Sequence, residues 1–275
     1  MLRAVSAPTA NTLAEGLRPL IDDPRNAAIF CDIDGTLAPI VDRPERSRVG
    51  KGVPVLLSRL GRRYGCVACV SGRAATEARR LVGVGSIAYV GSHGAEVMHA
   101  GHAQPQVLDA FAGWEERTRA FVRDREHEPA FKQLRIRLED KGPIKAFHWR
   151  GSPDEDAAET LLQGVAREAE TAGLMVHWGR KVLEVRPAVP IDKGQAVRAL
   201  IERATVRAAL YGGDDVTDLD AFDALDTLVA ERALDHAVRV GVRSAEGPAA
   251  IVERADLAVE GVPGFIEVLA LLAEH

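Results

Sequence analysis

The chain has 275 residues, with 35 Lys and Arg against 40 Asp and Glu and 47% hydrophobic residues. This length and apolar share suit one large or two modest packed domains and exclude a disordered or fibrous chain. A net charge of −5 and a pI near 5.9 argue against a general nucleic-acid binder, which presents a basic face, but leave room for a local basic pocket around a small anion.

The opening residues, Met1-Leu2-Arg3-Ala4-Val5-Ser6-Ala7-Pro8, lack the apolar segment of a secretory signal. No run approaches the roughly 18 apolar residues of a membrane-spanning helix. A cytoplasmic protein with no membrane or nucleic-acid partner is therefore expected. Residues 1–26, with Pro8, Pro19 and Pro24, read as a loose N-terminal arm holding one short helix at most. The apolar run 27–31 stops at acidic residues, as a parallel strand buried on both faces does. The spacing of Val55, Leu56 and Leu60 predicts a helix over 53–64. A strand over 66–70 ends at Ser71-Gly72-Arg73, a helix follows over 73–82, and a strand over 87–90 ends at Gly91-Ser92-His93-Gly94. Strand and helix alternate as βαβ units of a parallel sheet. Cys66-Val67-Ala68-Cys69 spells C-x-x-C, but residues three apart on a strand point to opposite faces, so buried thiols are expected here.

The pattern then changes. Residues 106–125 read as a long amphipathic helix. Residues 134–141 alternate, with Leu134, Ile136 and Leu138 on one face and Arg135, Arg137, Glu139 and Lys141 on the other. A Gly142-Pro143 turn leads to a strand over 144–150 that puts His148 and Arg150 on a shared face. Residues 153–171 read as a helix, and 174–178 and 181–186 as strands around Gly179. One-sided polarity marks an antiparallel sheet, and residues 103–188 read as an inserted α+β module. The two tryptophans of this stretch, Trp149 and Trp178, read as module core. After Pro187 the first pattern returns: a helix over 192–204, a strand over 208–211 ending at Gly212-Gly213-Asp214-Asp215, strands over 238–242 and 257–259, and a closing helix over 264–273. The parallel core, 27–102 and 189–275, is thus split by the insert.

The strongest chemical signal is Phe30-Cys31-Asp32-Ile33-Asp34-Gly35-Thr36. Two carboxylates stand just past the carboxyl end of a buried strand, where parallel α/β sheets bind ligands, and close carboxylates call for a cation. Three further features end predicted strands. Ser71 either donates to a phosphate oxygen or caps the next helix. Lys193 either balances phosphoryl charge or is a solvated lysine. Asp214, Asp215 and Asp218, in Gly-Asp-Asp-Val-Thr-Asp, either gather a cation or cap a helix start. All four fall at one end of a single inferred sheet, which favours a site.

In order and spacing these motifs resemble the haloacid dehalogenase-like superfamily. Val70-Ser71-Gly72-Arg73, Gly91-Ser92-His93-Gly94-Ala95-Glu96, Glu139-Asp140-Lys141-Gly142, His148-Trp149-Arg150, Glu184-Val185-Arg186-Pro187 and Asp214-Asp215-Val216-Thr217-Asp218 are similar to the trehalose-6-phosphate phosphatase family. The resemblance runs from residue 27 to the end. It implies a Rossmannoid parallel-sheet core with an inserted C2-type cap and a phosphatase of trehalose biosynthesis. It also implies Mg²⁺ as cofactor, with Asp32, Asp34, Asp214 and Asp218 as the metal-site residues. It makes Asp32 the nucleophile, Asp34 the general acid and base, and Ser71 and Lys193 the stabilisers of the transferring phosphoryl group. Arg73, His93, Glu139, Lys141, His148, Arg150, Arg180 and Glu184 are the implied substrate-binding residues, Arg180 standing where Lys is common. The expected partner is a small sugar phosphate, with a trehalose-phosphate synthase as a further partner the family allows; the chain is expected to be a monomer. Two other readings stay open: a capped phosphatase of sucrose phosphate or a glycosyl-phosphoglycerate, and a silent sugar-phosphate-binding regulator. The regulator should lack Asp32, Asp34, Lys193 or Asp214, and all four are present.

Overall fold

The protein is described here as a computed structural model, over residues 10–41, 46–108, 111, 113–123, 125–189, 192–244 and 247–275. It divides into two compact units, Met1–Gln106 with Asp192–His275, and Val107–Ile191.

The first unit opens with α1 (Ala10–Ile21), β1 (Ala27–Asp32), α2 (Val53–Arg63), β2 (Cys66–Val70), α3 (Ala75–Val82), β3 (Ala88–Gly91) and β4 (Glu96–Met98). A two-residue strand, β5 (Gln106–Val107), marks the boundary. The inserted unit follows with α4 (Trp114–Val122), α5 (Pro129–Gln133), β6 (Arg137–Lys141), β7 (Ile144–His148), α6 (Glu155–Thr171), β8 (Met175–Gly179) and β9 (Val182–Arg186). The chain then returns to the first unit with α7 (Lys193–Ala204), β10 (Ala208–Gly213), α8 (Leu219–Ala230), β11 (His236–Arg243), α9 (Ala249–Glu253), β12 (Leu257–Glu260) and α10 (Gly261–Glu274).

The sheet of the first unit runs β12–β11–β10–β1–β2–β3–β4. Its pairs are parallel except β3 with β4. All six residues of β1 are buried, which is why its sequence is an unbroken apolar run up to Asp32. β1 pairs with β2 on one side and β10 on the other, with Asp32 opposite Val70 and Cys31 opposite Gly212. The residues following β1, β2 and β10 therefore meet where the strand order reverses, the switch point at which open α/β sheets take ligands.

Residues 10–26 are not a loose arm. Leu13, Leu17 and Leu20 lie on one face of α1 at helical spacing and are buried in the main core, where α1 packs on α10 and on strands β1, β10 and β11. Pro19 sits inside this helix. The three cysteines are free; Cys31 and Cys69 are buried opposite one another on β1 and β2, whereas Cys66, expected to be buried, is only half-buried, though burial still pushes its thiol up to about 11. Among the described residues no helix is long and apolar enough to cross a membrane.

The sheet of the inserted unit is antiparallel, in the order β6–β7–β9–β8. Its apolar face carries Phe147, Leu183 and Val185, which pack with Val122, Leu162 and Val165 of α4 and α6. Trp149 also lies in this core and meets Trp178 edge-on at 5.9 Å, although Trp178 is itself 39% exposed. Two expectations fail here. Among the described residues the long helix over 106–125 is only α4, with Gly113 at φ +80° just before it; residues 109, 110, 112 and 124 of that prediction lie outside the described residues. The strand over 134–141 is only β6: Leu134 caps α5, and Arg135 turns the chain at φ +51°.

Candidate active site

At the carboxyl end of β1, Asp32 is 4% exposed. Lys193, the first residue of α7, is placed by Asp192, whose side chain accepts from the Gln195 N–H and so caps the helix. Lys193 is 3% exposed, which excludes the solvated-lysine reading. Its ammonium donates to Asp32 Oδ1 at 2.7 Å and to Asp218 Oδ1 at 2.6 Å. Asp218 is fully buried, and its carboxylate also accepts from the Tyr211 hydroxyl at 2.6 Å and from the backbone N–H groups of Asp214 (3.0 Å) and Asp215 (2.9 Å). Asp218 thus serves as both cap and site residue, since the same bonds fix the turn after β10. Thr36 donates to Asp214 Oδ1 at 3.3 Å. Gly35 passes so close to Asp214, at φ +96°, that a Cβ would fall 2.0 Å from its Oδ2; only glycine fits there.

Asp32, Asp214 and Asp218 offer carboxylate oxygens within 4.8 Å of one another, against the one ammonium of Lys193. Burial, and next Asp218, raise the Asp214 carboxyl to about 7. Burial likewise raises Asp32, opposed by Lys193. Burial would discharge Lys193, but Asp218 and Asp32 outweigh it and keep the ammonium charged. Crowded, partly uncompensated, all-oxygen donors suit a hard divalent cation such as Mg²⁺, and they lack the Cys and His ligands of a Zn²⁺ site.

Asp34 lies beside this cluster with its side chain 35% exposed. Arg73 grips it with Nε on Oδ2 at 2.6 Å and Nη2 on Oδ1 at 2.8 Å, while Ser47 donates to Oδ1 at 3.2 Å. Arg73 is held in turn by Glu77 at 3.0 Å. Ser71 is 2% exposed, and its hydroxyl accepts from the Arg73 N–H at 3.1 Å, so it does cap the turn. His93 holds a left-handed backbone at φ +59°, with its ring against Gly72.

In the inserted unit, alternation puts Arg137, Glu139, Lys141, His148, Glu184, Arg186 and His177 on one face of the sheet. His148 pairs with Glu139 at 2.7 Å, and Lys141 lies 3.6 Å from Glu139 and 3.3 Å from Glu184. Arg186 bonds Glu184 Oε2 through Nε at 2.9 Å. The hydrogen bond from His148 holds the Glu139 carboxyl below its usual range. Arg150 and Arg180 are exposed in the turns beside the sheet, and among the described residues neither joins these ion pairs.

A trehalose-phosphatase family profile matches residues 30–256. The chain belongs to the trehalose-phosphatase family. It is 38% identical over 210 residues to a trehalose-phosphate phosphatase of Mycolicibacterium paratuberculosis, the match covering 73% of this chain and 52% of that protein. It is 36% identical over 214 residues to an uncharacterized glycosyl hydrolase of Mycobacterium tuberculosis, covering 73% of this chain and 15% of that one. The chain therefore spans about half, or much less, of the length of these curated relatives. A solved structure of a trehalose-6-phosphate phosphatase related protein superposes with a TM-score of 0.62 at 26% identity, over 89% of this chain and 95% of that one. The fold is haloacid dehalogenase-like.

In this member of the trehalose-phosphatase family, several residues of the cluster carry no distinctive motif signal. Tyr211, Ser47 and Glu77 meet their carboxylate or guanidinium partners only through folding. Arg186 and Thr36 sit inside quoted motifs, but only the structure ties them to Glu184 and Asp214.

Proposed function

We propose that this chain is a Mg²⁺-dependent phosphatase that hydrolyses trehalose 6-phosphate to trehalose and phosphate. The observation that carries the reading is the buried Asp32–Lys193–Asp218 cluster beside Asp214, at the switch point of the sheet, in a chain of this family. Asp32 attacks phosphorus as the sugar–oxygen bond to phosphorus breaks, leaving an aspartyl phosphate. Asp34 gives its proton to the departing sugar oxygen. It then takes one from the water that attacks the aspartyl phosphate and frees inorganic phosphate. Lys193 and Ser71 stabilise charge on the transferring group. Asp32 and Asp214, with the backbone carbonyl of Asp34, would hold Mg²⁺, which would neutralise phosphoryl charge. Asp218 acts behind them, because its carboxylate already accepts from Lys193, Tyr211 and two backbone amides. Arg73 holds Asp34 in reach. The inserted unit acts as the cap, its charged face offering carboxylates to sugar hydroxyls and cations to the anion.

The test is phosphate release with Mg²⁺ over a panel of trehalose 6-phosphate, sucrose 6-phosphate, a glucosyl-phosphoglycerate, glucose 6-phosphate and p-nitrophenyl phosphate. Trehalose 6-phosphate should show the highest kcat/KM. A different best substrate overturns the specificity, and no release from any ester overturns the phosphatase reading.

A further inference from the structure

We propose that Glu96 is a positioning residue for phosphoryl transfer: it locks the 91–95 loop that spaces Ser71 from Lys193. The inference rests on the roles given above to Ser71 and Lys193. The loop is laced to the segment that carries Ser71. The Ser71 N–H donates to Val90 O at 3.0 Å, the His93 N–H to Ser71 O at 3.1 Å and the Ser92 N–H to Arg73 O at 2.8 Å. A Cβ on Gly72 would fall 2.6 Å from the His93 ring, so the two segments touch without slack. On its other side the loop meets the start of α7. Gly94 turns at φ +115°, and a Cβ there would fall 2.2 Å from the carbonyl oxygen of Asp192, the residue that caps the helix beginning at Lys193. The loop is a wedge with Ser71 on one side and Lys193 on the other.

This wedge is not a relaxed conformation. Ser92 (φ +52°) and His93 (φ +59°) are consecutive non-glycine residues in the left-handed region. Such residues persist only where their surroundings over-determine them. Glu96, at the start of β4 and 7% exposed, supplies that constraint. Its Oε1 accepts from the Ala75 N–H at 2.7 Å and from the Ser92 hydroxyl at 3.3 Å. Ala75 opens α3, with only Ala74 between it and Ser71-Gly72-Arg73, and a carboxylate is favoured at a helix N-terminus. One side chain therefore ties the strained loop to the helix that follows Ser71. Groups that stabilise developing charge work only when held in place beforehand, and misplacement by about 1 Å can cost on the order of 100-fold.

Glu96→Ala removes the acceptor, whereas Glu96→Gln keeps an oxygen where Oε1 stands. With Mg²⁺ present, Glu96→Ala should lower kcat/KM roughly 10- to 100-fold for trehalose 6-phosphate and p-nitrophenyl phosphate alike. It should weaken orthovanadate binding, measured by calorimetry, by a similar factor. Glu96→Gln should restore both to within about threefold of wild type. If Glu96→Ala does not fold, Ser92→Ala, which removes one of the two bonds, should show a smaller loss of both quantities in parallel. Unchanged vanadate affinity in a folded Glu96→Ala or Ser92→Ala protein overturns the proposal. So does a loss confined to the active fraction, or a Gln variant as impaired as Ala. Vanadate binding needs no turnover, so a wild-type protein without phosphatase activity would sink the functional reading and still leave this test readable.

Discussion

The buried cluster of the first unit and the charged face of the inserted unit use the same side chains in opposite ways. In the first unit Asp32, Asp218 and Lys193 are each under 5% exposed, with contacts of 2.6 and 2.7 Å. Across the inserted sheet Lys141 stands 3.3 and 3.6 Å from its partners, and Glu139, though held by His148 at 2.7 Å, keeps 40% of its side chain exposed. Groups that meet a transition state gain from being fixed in a dry site, where charge interactions are strong. Groups that read a polyol must trade their partners for substrate hydroxyls, and partial exposure keeps that exchange inexpensive. Glu184 is the exception on the open face: it is 5% exposed and held by Arg186 and Lys141, so it acts first as the counter-anion of two cations.

This contrast can be broken most severely at Asp32. Asp32→Asn keeps the shape and removes the carboxylate proposed as nucleophile, so turnover should fall by more than about 1000-fold on every ester. Circular dichroism should show the fold retained. Residual turnover within tenfold of wild type would remove Asp32 from its role.

Metal removal probes the same cluster without mutation. After dialysis against EDTA, activity should vanish and return with Mg²⁺. Mg²⁺ should also raise the melting temperature, because a ligand that binds only the folded state stabilises it and relieves three carboxylates gathered about one ammonium. Full activity in excess chelator, or a melting curve indifferent to Mg²⁺, contradicts the all-oxygen site.

The inserted face should respond selectively. Glu139→Ala removes a charged hydrogen-bond partner, which costs about 1.5–3 kcal/mol, or at least tenfold in kcat/KM for trehalose 6-phosphate. Hydrolysis of p-nitrophenyl phosphate should barely change. Glu184→Ala should also lose trehalose 6-phosphate activity, but with a lower melting temperature, since it removes the carboxylate that Arg186 and Lys141 share. Equal losses on both esters for Glu139→Ala would show that this carboxylate does not read the sugar.

The smallest effect concerns pH. The hydrogen bond from His148 lowers the Glu139 carboxyl in the folded protein, so Glu139 contributes stability above its unfolded value of 4.5. That contribution is lost as pH falls through the lower folded value. The melting temperatures of wild type and Glu139→Gln should therefore differ near neutrality and converge well below pH 4.5. A gap that widens with acidification would reverse the sign and discard the pairing.

Much of the first unit was legible because its signals are local. Apolar runs buried on both faces announce β1, β2 and β10, and the residue that ends each run is chemically conspicuous: Asp32, Ser71, Asp214. Lys193 and Asp218 were legible for the same reason, each standing at a helix start. The alternation that puts Glu139 and Lys141 together, and Glu184 and Arg186 together, is also a local property, with period two.

What the sequence alone could not decide is which distant partner each group takes. The Asp32–Lys193 bond spans 161 residues, Thr36 to Asp214 spans 178, and Arg73 reaches Asp34 across 39. No periodicity encodes such pairs; sheet order and register create them. The same holds for backbone conformation. Gly113 and Arg135 stand just before α4 and β6, whose predicted patterns extend further towards the N-terminus, because a positive φ interrupts a helix or strand whatever the side chains favour. α1 carries its apolar stripe openly in Leu13, Leu17 and Leu20, but that stripe becomes core only because α10 and its neighbours supply a surface to bury it. Composition and spacing determined the parallel strands, the chemically conspicuous residues at their carboxyl ends and the polar face of the insert. Tertiary structure alone decided that Arg73 grips Asp34, that Thr36 bonds Asp214 and that Glu96 ties the 91–95 loop to the start of α3, because those contacts are made by packing between segments apart in the chain.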